Sequence, residues 1–212
     1  MSKLKIFLFA TLLAITSFTH LYRIDKTFTF QGDEARDILI AKKMIDTKRP
    51  ILLGPETSVG NMYLGPLYYY FITPALMASQ MHPMGPAILV GIFGILTTLL
   101  IFLWGSKKFG LFGGFIAGMF YALSPVMLHY SRSSWNPNIV PFFAVLLLYA
   151  IDLKPRLSWI LLGICAGALF QLHYVALVAI FITAMLLLYR DYKVISIKEF
   201  VSHIALAIAA FI

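Results

Sequence analysis

Long apolar runs separated by short polar interruptions dominate this chain, and its charges lie in the interruptions. Residues 6–22, 84–104, 110–129, 138–152, 157–172, 174–189 and 199–212 read as membrane-crossing helices, each such crossing taking about 20 mostly apolar residues. One further stretch, 64–79, is short, carries Pro66 and Pro74, and is rich in aromatics: Tyr63, Tyr68, Tyr69, Tyr70 and Phe71. Loop charges decide how to read it. If the N-terminus is cytoplasmic and 64–79 does not cross, then Lys107 and Lys108, Lys154 and Arg156, and Arg190, Lys193 and Lys198 all fall inside, as basic loop residues should. If it crosses, the loops carrying Lys107, Lys108, Lys154 and Arg156 move outside. Residues 64–79 are therefore expected along the outer interface, and 23–83 become one external loop. Residues 157–189 would form a helix of roughly 50 Å, too long for one passage through a ~30 Å core. Two short helices turning near Gln171-Leu172-His173 are expected instead.

Within the external loop, Ile38, Ala41 and Ile45 recur at helical spacing between Asp33 and Thr47. Acids open this segment, and Lys42, Lys43, Lys48 and Arg49 close it, an order that complements a helix dipole. The pattern predicts a helix over 33–47 lying on the membrane surface. An irregular linker over Gly54–Gly60 follows, and Ser131–Asn138 forms a second, short external loop.

Composition sharpens this picture. The chain is 60% hydrophobic and 12% charged, against about 25% charged in a soluble domain. A net charge of +8 would fit a nucleic-acid partner in a soluble protein. Here the basic residues sit in short loops, where they set topology, so nucleic acid is excluded. Cys165 is the sole cysteine. An intrachain disulfide is impossible, and no Cys/His metal spacing exists. Residues 16–20 lack a small-x-small cleavage site, so the first run reads as an uncleaved helix. The apolar run 201–212 stops without a flanking loop, which leads us to expect the N-terminal portion of a larger protein. The expected class is all-α: a single polytopic transmembrane domain over 1–212 in the plasma membrane.

The residues with the most chemistry are Gln31-Gly32-Asp33-Glu34-Ala35-Arg36-Asp37. Asp33 and Glu34 would open the surface helix, with Asp33 and Asp37 on one face at i,i+4. Carboxylates there suit a general base or a divalent-ion ligand at the membrane's outer face. They equally suit dipole capping alone. Arg132 stands as the one basic residue of the second external loop. It fits lipid headgroups or, through bidentate geometry, a phosphate. Tyr68, Tyr69 and Tyr70 fit interfacial anchors or the lining of an isoprenoid path. Glu56 reads as a solvated charge, and His173 as a hydrogen-bonding residue at a helix end.

The ordered set of Asp33-Glu34 followed by Arg36, Gly65-Pro66-Leu67-Tyr68-Tyr69-Tyr70, Ser131-Arg132 through Asn136-Pro137, and Gly163 to Gly167 leading into Gln171-Leu172-His173 resembles the GT-C membrane glycosyltransferases. The similarity is to glycosyltransferase family 39 and its relatives, including protein O-mannosyltransferases and lipid A aminoarabinose transferases, and covers about residues 6–190. It implies a GT-C helical bundle with interfacial helices in the first external loop. It also implies inverting transfer of a sugar from a polyprenyl-phosphate donor to a hydroxyl on an acceptor glycan, lipid or protein. By position, Asp33 is the base or metal-associated carboxylate, with Glu34 beside it; a divalent ion is an implied cofactor. Many relatives carry a lysine before the Pro-aromatic segment, thought to meet the lipid phosphate, where this chain has Leu64-Gly65. The resemblance then leaves that role to Arg36 or Arg132, with Tyr68 and Tyr69 near the substrate. Two other classes stay open from the residues alone. A transporter or flippase would place ionisable groups at mid-membrane, and no assigned span has Asp, Glu, Lys or Arg at its centre. A non-catalytic assembly subunit would need only the anchors.

Overall fold

A computed structural model describes residues 2–57, 62–192 and 195–211. The described chain is helical, with two isolated β-bridges and no strands. Four stretches are long and apolar enough to cross a membrane: Lys3–Leu21, Met84–Leu123, Pro155–Leu172 and Tyr174–Asp191. Asn136–Ala150 is a shorter apolar helix. These helices make it a membrane protein.

Helix α1 (Lys3–Leu21) is capped by Ser2, whose hydroxyl accepts from the Lys5 amide at 3.2 Å. It buries Leu8, Leu12, Thr16 and His20, one residue per turn at i,i+4 spacing. That stripe packs on α5, where the Thr16 and Thr98 hydroxyls meet at 3.0 Å. Helix α5 (Met84–Leu123) has 40 residues, about 60 Å if straight and twice a bilayer core. It breaks at Gly110, whose φ of 77° favours glycine, and its two arms fold back together. A Cβ at Gly105 would lie 3.0 Å from the Gly114 Cα, and one at Gly114 would overlap the Ser106 backbone. Glycine at these contacts lets the arms approach backbone to backbone. The apolar run over 110–129 divides at Ser124, which caps the short α6 (Pro125–Tyr130); Pro125 fits an N-terminal helix position, where its missing N–H is not needed.

After α1, one turn of helix, α2 (Ile24–Thr27), leads to α3 (Gly32–Thr47). Helix α4 (Leu67–Ala78) packs between α3, α5 and α8 and buries Tyr68, Tyr69, Ile72 and Leu76. Both its ends lie beside the α3 side of the bundle. Its first turn reaches Ser134, and the turn after it brings His82 to Phe28, with ring centroids 6.4 Å apart. Helix α4 thus enters and leaves on one side.

A 3-10 turn, Asn136–Ile139, runs into α7 (Val140–Ala150). Helix α8 (Pro155–Leu172) follows and ends at His173, whose extended backbone (φ −166°, ψ 130°) separates it from α9 (Leu177–Asp191). Helix α10 (Ile197–Phe211) lies on α8, where a Cβ at Gly163 or Gly167 would collide with the backbone of Ala207 or Phe211. Aromatic contacts among Phe71, Phe93, Phe142 and Phe143 join α4, α5 and α7 in the central core.

Charges gather at opposite ends of this bundle. At one end, Lys108 binds Asp152, and Arg190 Nη1 donates to the Ile151 and Leu153 carbonyls at 2.9 and 3.0 Å. Lys193, a basic residue of the same region of sequence, lies outside the described residues. At the other end sit the first turns of α3, the 131–139 loop and the break at His173.

Candidate functional site

The first turn of α3 is built by a reciprocal cap. The Gln31 side chain accepts from the Glu34 backbone, and Glu34 Oε2 accepts from the Gln31 amide at 2.9 Å. The second oxygen of Glu34 accepts from the Ser133 hydroxyl, and the side chain is buried. Glu34 therefore caps α3 with one oxygen and ties it to the 131–139 loop with the other, a positioning arrangement rather than an open one. Asp33, next to it, has a half-exposed side chain.

Arg36 lies between two carboxylates. Its Nη1 donates to Asp33 Oδ1 at 3.0 Å, while Nε and Nη2 reach Asp37 Oδ1 at 3.0 and 2.9 Å. Asp37 is wholly buried, and the Tyr69 hydroxyl points at the same Oδ1 from 3.5 Å. Asp37 Oδ2 is buried without a hydrogen-bond partner. Burial pushes the Asp37 carboxyl up to about 6, against the opposing pull of Arg36. The Tyr69 hydroxyl is likewise raised, by burial and then by the Asp37 charge. Tyr68 is fully buried, its hydroxyl 2.9 Å from Ser134. These two tyrosines are core groups, bonded to the 131–139 loop and to α3, whereas Tyr70 is exposed and donates to the Ile51 carbonyl at 2.9 Å.

Arg132 faces elsewhere. Its Nη2 donates to the Thr19 carbonyl at 2.6 Å, in the last turn of α1, and its Nε is buried without a partner. A cation at a helix C-terminus meets the negative end of the dipole. Position 65 is tight: a Cβ on Gly65 would overlap the Gln171 side chain. Glycine there lets the 62–66 segment lie directly on the end of α8.

Asp33 borders two cavities. One, of about 90 Å³, is lined by Asp33, Arg36, Glu56, Trp135, Asn136 and His173, with others. The second, of about 280 Å³, is lined by Gln31, Asp33, Glu34, His129, Tyr130 and Trp135, among others. Asn136 fixes the wall between loop and bundle by donating to the Leu172 carbonyl at 2.5 Å. His173 also borders an apolar groove of about 480 Å³ formed by Pro137, Val140, Val175, Val178, Ala179 and Ile182. Burial lowers the basicity of its ring.

Asp33 and Asp37 both spend an oxygen on Arg36, and among the described residues no group of three or more His, Cys, Asp or Glu side chains converges. The structure thus brings Asp33, Glu34, Arg36 and Tyr69 together, with Tyr68 beneath, and leaves Arg132 on α1. It adds Asp37, Trp135, Asn136 and His173. For Asp37 the i,i+4 spacing from Asp33 was a usable signal; the packing of loop 131–139 against His173 has none in local sequence. No family model, curated protein or solved structure matches this chain.

Proposed function

We propose that this chain carries the active end of a membrane glycosyltransferase that moves a sugar from a lipid-linked phosphate donor to a hydroxyl at the outer membrane surface. One observation carries the reading: a polar cavity holding Asp33 and Arg36 meets an apolar groove at His173. An amphiphile with a charged head and a long apolar tail fits that junction, the tail in the groove and the head beside Arg36. An isoprenoid phosphate has this form.

The chemistry follows from the groups present. Asp33 takes the proton of the acceptor hydroxyl as its oxygen attacks the sugar carbon. A new C–O bond forms on the face opposite the phosphate, and the old C–O bond breaks with its electron pair leaving on the phosphate oxygen. The configuration inverts. Arg36 meets the developing phosphate charge. Glu34 and Ser133 hold the helix that presents both groups. We place Lys107, Lys108 and Arg190 on the cytoplasmic side of the plasma membrane by charge bias, which puts Asp33 outside.

Transfer is measured in membranes with a polyprenyl-phosphosugar, matched for protein level. Asp33→Asn keeps the shape and the capping ability of the side chain but not its basicity, and is expected to lower the rate about 10²–10⁴-fold. Full activity in this variant leaves Asp33 a structural residue and sinks the reading.

A further inference from the structure

Arg36 has five N–H donors, and three of them are shared between two carboxylates. The two attachments are unequal. Toward Asp37 the guanidinium uses Nε and Nη2 on a wholly buried oxygen, with Tyr69 behind it. Toward Asp33 it uses Nη1 alone, on a side chain that is half exposed and faces the cavity. Arg36 lines that cavity, so an anion there meets a guanidinium that already holds a carboxylate through Nη1. An exposed pair is weak, and a buried one resists opening. The Asp33 contact is the one that yields.

We infer that Asp33 and the phosphate of a lipid-linked ligand compete for Nη1 of Arg36, so that binding of the phosphate frees the Asp33 carboxylate. This rests on the proposed function above and specifies the order of events in it. Without ligand, Arg36 Nη1 occupies one of the two Asp33 carboxylate oxygens, Oδ1, and a cation so placed weakens a carboxylate as a base. With phosphate bound, Nη1 turns to the ligand, Asp37 keeps the guanidinium from leaving its seat, and Asp33 becomes available to an acceptor. The carboxylate thus becomes a stronger base when the donor phosphate has taken Nη1 from it. Because linkage is reciprocal, whatever removes the Asp33 charge tightens anion binding.

That sign separates competition from a bridging role. If Asp33 helped to hold the anion, directly or through a cation, its loss would weaken binding. The full chain in phosphatidylcholine nanodiscs is titrated by calorimetry with sulfate, which keeps its charge from pH 5 to 8, and with a short-chain lipid phosphate. Asp33→Asn is expected to bind both about fivefold more tightly at pH 7, the scale of an exposed pair. Arg36→Gln is expected to lose binding, and Arg132→Gln to keep it. The lipid phosphate is expected to bind better than sulfate and to displace it. Unchanged or weaker binding by Asp33→Asn overturns the competition, as does loss of binding in Arg132→Gln alone. Sulfate held more tightly than the lipid phosphate overturns the lipid-linked ligand. Competition without any sugar transfer by the wild-type protein would retain the linkage and refute the glycosyltransferase reading, whereas transfer without competition would do the reverse.

Discussion

Asp37 has one carboxylate oxygen bonded from several directions and another bonded to nothing. Burial raises its pKa in the folded protein from the usual carboxylate value to about 6. The folded state therefore holds this proton more tightly than the unfolded chain does. The resulting stability is complete below pH 4 and is lost as pH rises toward and through 6. Its size is about 2–3 kcal/mol at most, from roughly 1.4 kcal/mol per pH unit. Thermal unfolding in detergent between pH 4 and 7 is expected to show this decline in wild-type protein and to flatten in Asp37→Asn, which cannot ionise. Equal slopes for the two proteins would assign the decline to other groups. At this scale the sequence exposed the residue types and their i,i+4 spacing, which put Asp33 and Asp37 on one helix face. It did not separate their roles. Burial does that, and burial depends on Tyr69 and Ser133, 32 and 99 residues distant from their partners Asp37 and Glu34.

Among the elements, α4 and the glycines around it carry the argument. Pro66 and Pro74 marked a short helix in the sequence, and the tyrosines marked an interface. What sequence could not express is that Tyr68 and Tyr69 turn inward because α3 and the 131–139 loop offer their hydroxyls partners. Gly54 and Gly65 set how closely the loop lies on the bundle. A Cβ at Gly54 would overlap the Gly65 backbone, whereas one at Gly65 meets the flexible Gln171 side chain. Gly54→Ala is therefore expected to destabilise by about 1–3 kcal/mol, in the range of overpacking, and Gly65→Ala by less. Unfolding midpoints of the two variants check the order; an equal effect would mean that the loop moves freely. Asn136→Ala should cost about 1–3 kcal/mol as well, because it leaves the Leu172 carbonyl without this donor in a buried setting.

For the whole molecule, periodicity and length made the helical class readable, because lipid leaves few alternatives to a helix. Which runs pair is a different matter. Lys107 and Lys108 marked a break between the runs 84–104 and 110–129, but that the turn falls at Gly110 and that the two arms then touch follows from a positive φ and from glycine contacts between them rather than from hydrophobicity. The two charged ends allow a direct check. On a Cys165→Ala background, single cysteines at positions 107 and 156 are expected to react with a membrane-impermeant maleimide from one side of the membrane, and those at 56 and 129 from the other. Positions 57 and 81, before and after α4, should share a side. Labelling of 107 and 56 from the same side would break the two-ended arrangement.

The contact between Thr16 and Thr98 joins residues 82 apart. A ribosome adding about 5–20 residues per second needs roughly 4–16 s to cover that distance. Through that interval α1 exists without the surface that covers Leu12, Thr16 and His20. It must wait in lipid or in the insertion machinery with its polar groups turned toward its own backbone, as the Thr19 hydroxyl and the His20 ring are toward the Thr16 carbonyl. The local bonds make the delay tolerable, and the distant bond ends it. Assembly of the site thus comes after α5 in the order of synthesis: the 131–139 loop that receives Glu34 is made only after the glycine-lined hairpin.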